Sequence, residues 1–206
     1  MKKTLIFTCL LFSILSCKAQ IIIQTLDNFD LDTPTGGYYQ DTNYLLDPYI
    51  GTWTHTNGTT SLTMKLRKVI RFYNGKFYSD LLVGEYQYIE NGVEKLNTLN
   101  QFTIDYPLQY DHQLHSSDLL KTLDKPNPCI TCNTTIPRVE LMYSDNIKDI
   151  VGSFYMGLSA TSNTIANVYI SSTGIKYSGD ANDITTLTTE HVGTTIPNGW
   201  YSFVKQ

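Results

Sequence analysis

Charge, sulfur and long apolar runs are all scarce in this chain. Charged residues make up 17% of its 206 residues, cysteine occurs four times and tryptophan twice. The largely apolar stretch Leu5 to Leu15 has 11 residues, about half of the roughly 20 that a helix needs to cross a bilayer. A basic surplus is also missing: 15 Lys and Arg stand against 19 Asp and Glu, a net charge of -4. Nucleic acid is therefore not an expected partner, and charge alone would not draw the chain to an anionic membrane. Gly-x-Ser-x-Gly, His-Glu-x-x-His, a phosphate-cradling glycine loop and a dinucleotide fingerprint are absent, which argues against the common hydrolase and nucleotide classes. Neither an enzymatic activity nor a cofactor is expected.

Two lysines followed by the apolar run read as a secretory leader over residues 1–16. Its removal takes Lys2 and Lys3 but no acid, leaving 13 basic and 19 acidic groups, net -6. Ile14-Leu15-Ser16-Cys17 matches a bacterial lipobox, with Cys17 as first mature residue and lipid attachment point. Acyl chains would then hold the protein at the inner or outer membrane, facing periplasm or exterior. Cleavage after Ala19 is the alternative, and gives a free secreted protein. Residues 17–44, rich in Asp, Thr and Gly, read as a tether to a domain spanning 45–206, with Tyr38, Tyr39 and Tyr49 exposed near the barrel's rim. The spacing of Asp27, Asp30 and Asp32 resembles a calcium loop but lacks its Gly and Glu, and reads as solvated linker.

The domain should be mostly β. Twenty-seven Thr, 15 Tyr and 8 Phe suit a pleated, half-buried surface. Asn57-Gly58, Asn74-Gly75 and Asn91-Gly92 each separate β-like runs and predict hairpins in an antiparallel meander. Leu62, Met64 and Leu66 alternate with Thr63, Lys65 and Arg67, and the phase slips at Lys68-Val69, predicting a bulge. Prolines mark an irregular, lid-like stretch over about 106–136, whose one regular piece is a two-turn helix over Ser117–Lys125, read from Leu119, Leu120 and Leu123. Nine or ten strands suffice to close an up-and-down barrel.

Leu46-Asp47-Pro48-Tyr49-Ile50-Gly51-Thr52-Trp53 carries a resemblance. Gly51-x-Trp53 at the start of the first barrel strand, after a short helical turn, resembles the lipocalin signature. The resemblance implies that Trp53 plugs the closed end. Lipocalins stack an arginine on that indole; the last arginine here is Arg138, and Lys205 is the substitute. Pro34, Gly36, Tyr38, Asp41 and Leu46 to Trp53, with the leader ending Ser16 to Gln20, also look like a group of uncharacterised flavobacterial lipoproteins carrying a domain of unknown function.

Chemistry-bearing residues are few. Tyr78, Tyr86 and Tyr88 share a strand face and, with Trp53, are the candidates to fill the barrel or to line a cavity for a small apolar ligand or lipid. Cys129-Ile130-Thr131-Cys132 reads as a disulfide in an exported protein. Its alternatives are a redox dithiol, or a zinc site shared with His112 and His115. Glu85, Glu94, Glu140 and Glu190 are the acids that pairing across strands could turn to acid/base work. The other expected partner, if the barrel is solid, is an envelope protein.

Overall fold

The structure is a computed structural model that describes residues 23–26, 33–124, 127–179 and 184–206. The leader, Cys17 and the three tether aspartates lie outside the described residues. Among the described residues thirteen strands form: β1 (Ile23–Thr25), β2 (Tyr38–Gln40), β3 (Gly51–Asn57), β4 (Thr60–Tyr73), β5 (Tyr78–Glu90), β6 (Val93–Asn97), β7 (Leu114–Leu120), β8 (Arg138–Asp145), β9 (Ile150–Ser159), β10 (Ser162–Ser171), β11 (Ile175–Ser178), β12 (Thr188–His191) and β13 (Gly199–Lys205).

Eight of them, β3, β4, β5, β7, β8, β9, β10 and β13, run antiparallel in a closed ring. The closures are β13 on β3 (Lys205↔Trp53) and β5 on β7 (Val83↔His115, Gly84↔Leu114). The mostly β, antiparallel up-and-down barrel expected from sequence is the fold, and its form is compatible with a lipocalin. Closure leaves no strand of the ring as a free edge along its whole length, although the β5–β7 seam is only two residues long. β11 and β12 form a separate ribbon.

The helix expected over Ser117–Lys125 is not present. Leu114–Leu120 is β7, paired with β8 from Leu114↔Tyr143 to Leu120↔Arg138. Two turns of helix are marginal on their own, whereas pairing with β8 bonds the backbone from Leu114 to Leu120 and buries part of Leu119. Leu123, the third member of the apparent helical stripe, is 65% exposed. Among the described residues the only helical pieces are single 3-10 turns, at Asp47–Tyr49, Leu99–Gln101, Gln109–Asp111 and Ile184–Thr186.

The alternation in β4 is as expected, with Leu62, Met64 and Leu66 buried inside the barrel. The bulge falls slightly later than the phase slip, between Val69 and Phe72, where Arg71 takes φ +56°. Only at Asn91-Gly92 are both φ angles of an Asn-Gly pair positive; Asn74 instead accepts the amides of Lys76 and Phe77 on its side chain. Trp53, Tyr86, Tyr88, Tyr143, Phe154 and Phe203 join the aliphatic residues in one continuous core, so the interior is filled by side chains. At the end opposite Trp53, Ile196 is buried and Tyr201 donates to the Pro197 carbonyl, 2.7 Å.

The outer face of β5 is buried too. Leu81 and Val83 pack with Phe72 and Val69, because residues 98–113 lie against this wall, with the Tyr110 ring 5.1 Å from Phe72. The long irregular stretch thus covers the side of the barrel, not its mouth. Tyr38, Tyr39 and Tyr49, expected at an exposed rim, are buried: β2 adds in parallel to the start of β5 (Tyr38↔Tyr78, Tyr39↔Ser79), and the Tyr49 hydroxyl donates to the Pro137 carbonyl at 2.6 Å.

Candidate functional site

Trp53 is fully buried, and its Nε1–H donates to the Tyr49 carbonyl at 2.8 Å. Lys205 Nζ lies 5.2 Å above the ring and donates to the Pro48 carbonyl at 3.0 Å. A Cβ on Gly51, whose φ is +129°, would stand 3.0 Å from Lys205 Cε. Glycine is needed there both for the backbone angle and for the lysine's path. Lys205 therefore occupies the place that the lipocalin resemblance gives to an arginine, and burial pulls its pKa below the ordinary lysine value.

The other sequence candidates separate. Tyr86 and Tyr88 are core residues; the Tyr86 hydroxyl donates to the Ser144 carbonyl at 2.7 Å, and burial pushes its pKa far up. Tyr78 sits outside that core, its ring 4.8 Å from Tyr73 with the Arg71 guanidinium 4.9 Å over it. Trp53 and Tyr86 are thus brought into one cluster with Tyr88, and Tyr78 is not.

Cys129 and Cys132 form a disulfide. His112 is held elsewhere: with Arg67 Nη2 donating to its Nε2 at 3.1 Å, its Nδ1–H donates to Glu85 at 2.8 Å. Arg67 also donates to the Ile104 carbonyl, and Glu85 and His112 are both fully buried. The two ring nitrogens of His112 are thus taken up by a carboxylate and a guanidinium, and the Tyr106 ring packs on it at 4.8 Å. The chemistry available to them is to pin residues 98–113 to the barrel wall. His115 stands apart, its ring 4.9 Å from Tyr110 and its pKa lowered by burial. Among the described residues no group of three or more His, Cys, Asp or Glu is arranged to hold a metal ion. Of the remaining acids, Glu94 accepts from Gln87 and Asn97, and Glu190 is exposed on β12.

The feature with the form of a binding site is a split in the barrel wall. β5 pairs with β7 over only two residues and then, toward Tyr78, leaves it for β2. The gap is a cleft of about 500 Å³ between Ser79–Leu81 and Ser116–Leu119. Leu26, Leu46, Phe77, Leu81, Tyr110 and Leu119 supply its apolar surface. His115, Asp118 and Glu140 supply the polar groups, while Asp80, also present, is occupied by the Tyr38 hydroxyl at 2.6 Å and two backbone amides. Asp118 and Glu140 face each other across β7 and β8. In the sequence Leu46, His115, Leu119 and Glu140 point to other roles and their meeting is not visible, because the register shift between Ser116 and Asp118 breaks the alternation that marks a strand.

Arg138 was noted only for what it is not, a partner for Trp53. It is fully buried and donates to the carbonyls of Asp124 and Asn127, both at 2.7 Å, and of Lys121 at 3.4 Å. It thereby seats the loop that carries the disulfide on the outer face of β9.

No curated protein and no solved structure matches the chain. A family model does, over residues 1–206, and by that match the chain belongs to DUF6705, a family of unknown function.

Proposed function

We propose that this protein is an exported, lipid-anchored β-barrel of the cell envelope that holds a small amphipathic or apolar molecule in the cleft between β5 and β7, without catalysis. One observation carries the ligand part: a cleft of about 500 Å³ with an apolar floor and a few polar groups at one side, within the usual size range of small-molecule sites. The filled interior moves the proposed ligand from the barrel's centre, where Trp53, Tyr86 and Tyr88 were expected to meet it, to the wall.

The leader and Cys17 support the anchoring part. Metabolic labelling with an alkyne fatty acid should tag the wild-type chain and leave Cys17→Ser unlabelled; equal labelling of both would remove the anchor at Cys17. For the cleft, the fluorescence of N-phenyl-1-naphthylamine should rise saturably with the wild-type chain. Leu119→Trp, which fills the gap with apolar surface, should abolish the rise without lowering the melting temperature. A probe signal that survives Leu119→Trp, or none with wild type, would overturn the cleft.

A second reading, an envelope module that binds a protein and no small ligand, is favoured by the same filled interior. Native mass spectrometry of the purified chain separates the two, since a copurifying small molecule belongs only to the first.

A further inference from the structure

A second depression, of about 520 Å³, lies on the outer face of β10 and β13, away from the cleft. Its floor is Asn167 and Ser202, which are direct partners across the two strands. One wall is the disulfide loop, through Pro128, Ile130 and Thr131; the other is Trp200. None of the side chains lining it is charged.

Both walls are built, not incidental. The loop is tied down by Asn133 N–H to the Leu158 carbonyl (2.8 Å), by Ala160 N–H to the Thr131 carbonyl (3.0 Å) and by Arg138 beneath. Gly157 makes room for it: a Cβ there would fall 2.5 Å from Cys132 Sγ and 2.8 Å from Arg138 Cγ. On the other side the Trp200 indole, 49% exposed, is braced edge-on by Tyr169 at 5.2 Å, and Tyr169 is itself flanked across β9 by the buried Tyr155. An indole left half in water but fixed in orientation loses little freedom on binding.

The chemistry on offer is the Trp200 face, one amide and the hydroxyls of Thr131 and Ser202; the hydroxyl of Tyr201, which also lines the groove, donates to the Pro197 carbonyl. Asn167 Nδ2–H is used on Thr131 Oγ1 at 3.2 Å, which leaves its Oδ1 to accept. An acidic or basic ligand would find no counter-charge in this groove. A lipid would find amide and hydroxyl groups on the floor. A protein interface needs an area near 800 Å² per partner, far beyond one groove of this size. A sugar ring presents apolar C–H faces and an edge of neutral hydroxyls, which match an indole face beside an amide and hydroxyls. We propose that the groove between the disulfide loop and Trp200 is a binding site for a neutral saccharide, with the ring stacked on Trp200 and its hydroxyls bonded to Asn167, Ser202 and Thr131.

Isothermal titration calorimetry of the purified chain with cellohexaose, chitohexaose and maltohexaose tests this. At least one should bind saturably at micromolar to millimolar concentration. Trp200→Ala should weaken that binding by about tenfold or more, and Asn167→Ala by a smaller factor. Neither change should move the melting temperature, because both side chains lie outside the core. Absence of saturable heat with all three hexaoses overturns the proposal, as does binding that Trp200→Ala leaves unchanged. The result is independent of the cleft, since no lining residue is shared.

Discussion

Trp53 and Lys205 act as a pair. The indole is the largest fully buried side chain and the ammonium over it bonds to a carbonyl of the Asp47–Tyr49 turn, so the lysine ties the last strand to the entry of the first. Trp53→Ala should cost about 3–5 kcal/mol, the range for removing a buried aromatic. Lys205→Met keeps the stem over the ring but loses the cation and the hydrogen bond, and should cost only about 1 kcal/mol. Urea titrations measure both; a Lys205→Met loss as large as that of Trp53→Ala would refute this division of roles. Trp53 was legible in the sequence because Gly51-x-Trp53 is a local pattern. Arg138 was not, because its partners are backbone carbonyls 11 to 17 residues away, and carbonyls leave no mark in a sequence.

At the scale of elements, the disulfide and Arg138 fasten the same loop independently, beside its backbone bonds at Asn133 and Ala160. The bridge spans a sequence separation of 3, so the entropy it removes from the unfolded chain is worth about 2 kcal/mol. Arg138→Met would remove its charged hydrogen bonds to three loop carbonyls and should cost at least as much, about 2–4 kcal/mol. Combining Cys129→Ser, Cys132→Ser and Arg138→Met should then release the loop while β8 and β9 stay paired. Hydrogen exchange would show this as lost protection at Asn133 and Ala160 with Leu141 and Phe154 still protected; loss of all four would mean that the loop and the wall unfold together. The hairpins flanking the three Asn-Gly pairs were readable because turn chemistry is local. β7 reads as helix for the converse reason: its strand character comes from β8 and from a two-residue contact with β5, while Leu119 and Leu120 with Leu123 beyond its end fit a helical period better than a pleat.

The whole barrel carries a pH limit set by its tyrosines. Burial raises the pKa of Tyr49 and Tyr86 well above 10, and that of Tyr143 and Tyr201 to about 12. Below pH 10 folded and unfolded chains both keep these protons, so the phenols do not affect stability. Between pH 10 and about 12 the unfolded chain releases protons that the barrel retains, and stability falls as pH rises. The loss approaches about 1.4 kcal/mol per pH unit for each fully buried phenol. Melting curves at pH 8 to 11 should show an accelerating drop above pH 10; Tyr143→Phe should flatten it, and an unchanged slope in that variant would assign the drop to other groups. Lowered by burial, His115 works at the opposite end: stability should fall as pH drops through about 6.5, where the unfolded imidazole takes a proton that the folded one resists.

By itself the sequence determined the β composition, the meander and its turns and the alternation of β4, and it set Cys129 and Cys132 close enough to pair. All of these depend on residues close in the chain, where periodicity, turn geometry and short spacing act directly. Only the tertiary structure decided that the interior is filled, that residues 98–113 are pinned outside by Glu85, His112 and Arg67, and that two depressions open on the wall. Those features depend on which side chains meet across strands 30 to 80 residues apart, and burial and complementarity between such distant groups are properties of the closed barrel alone.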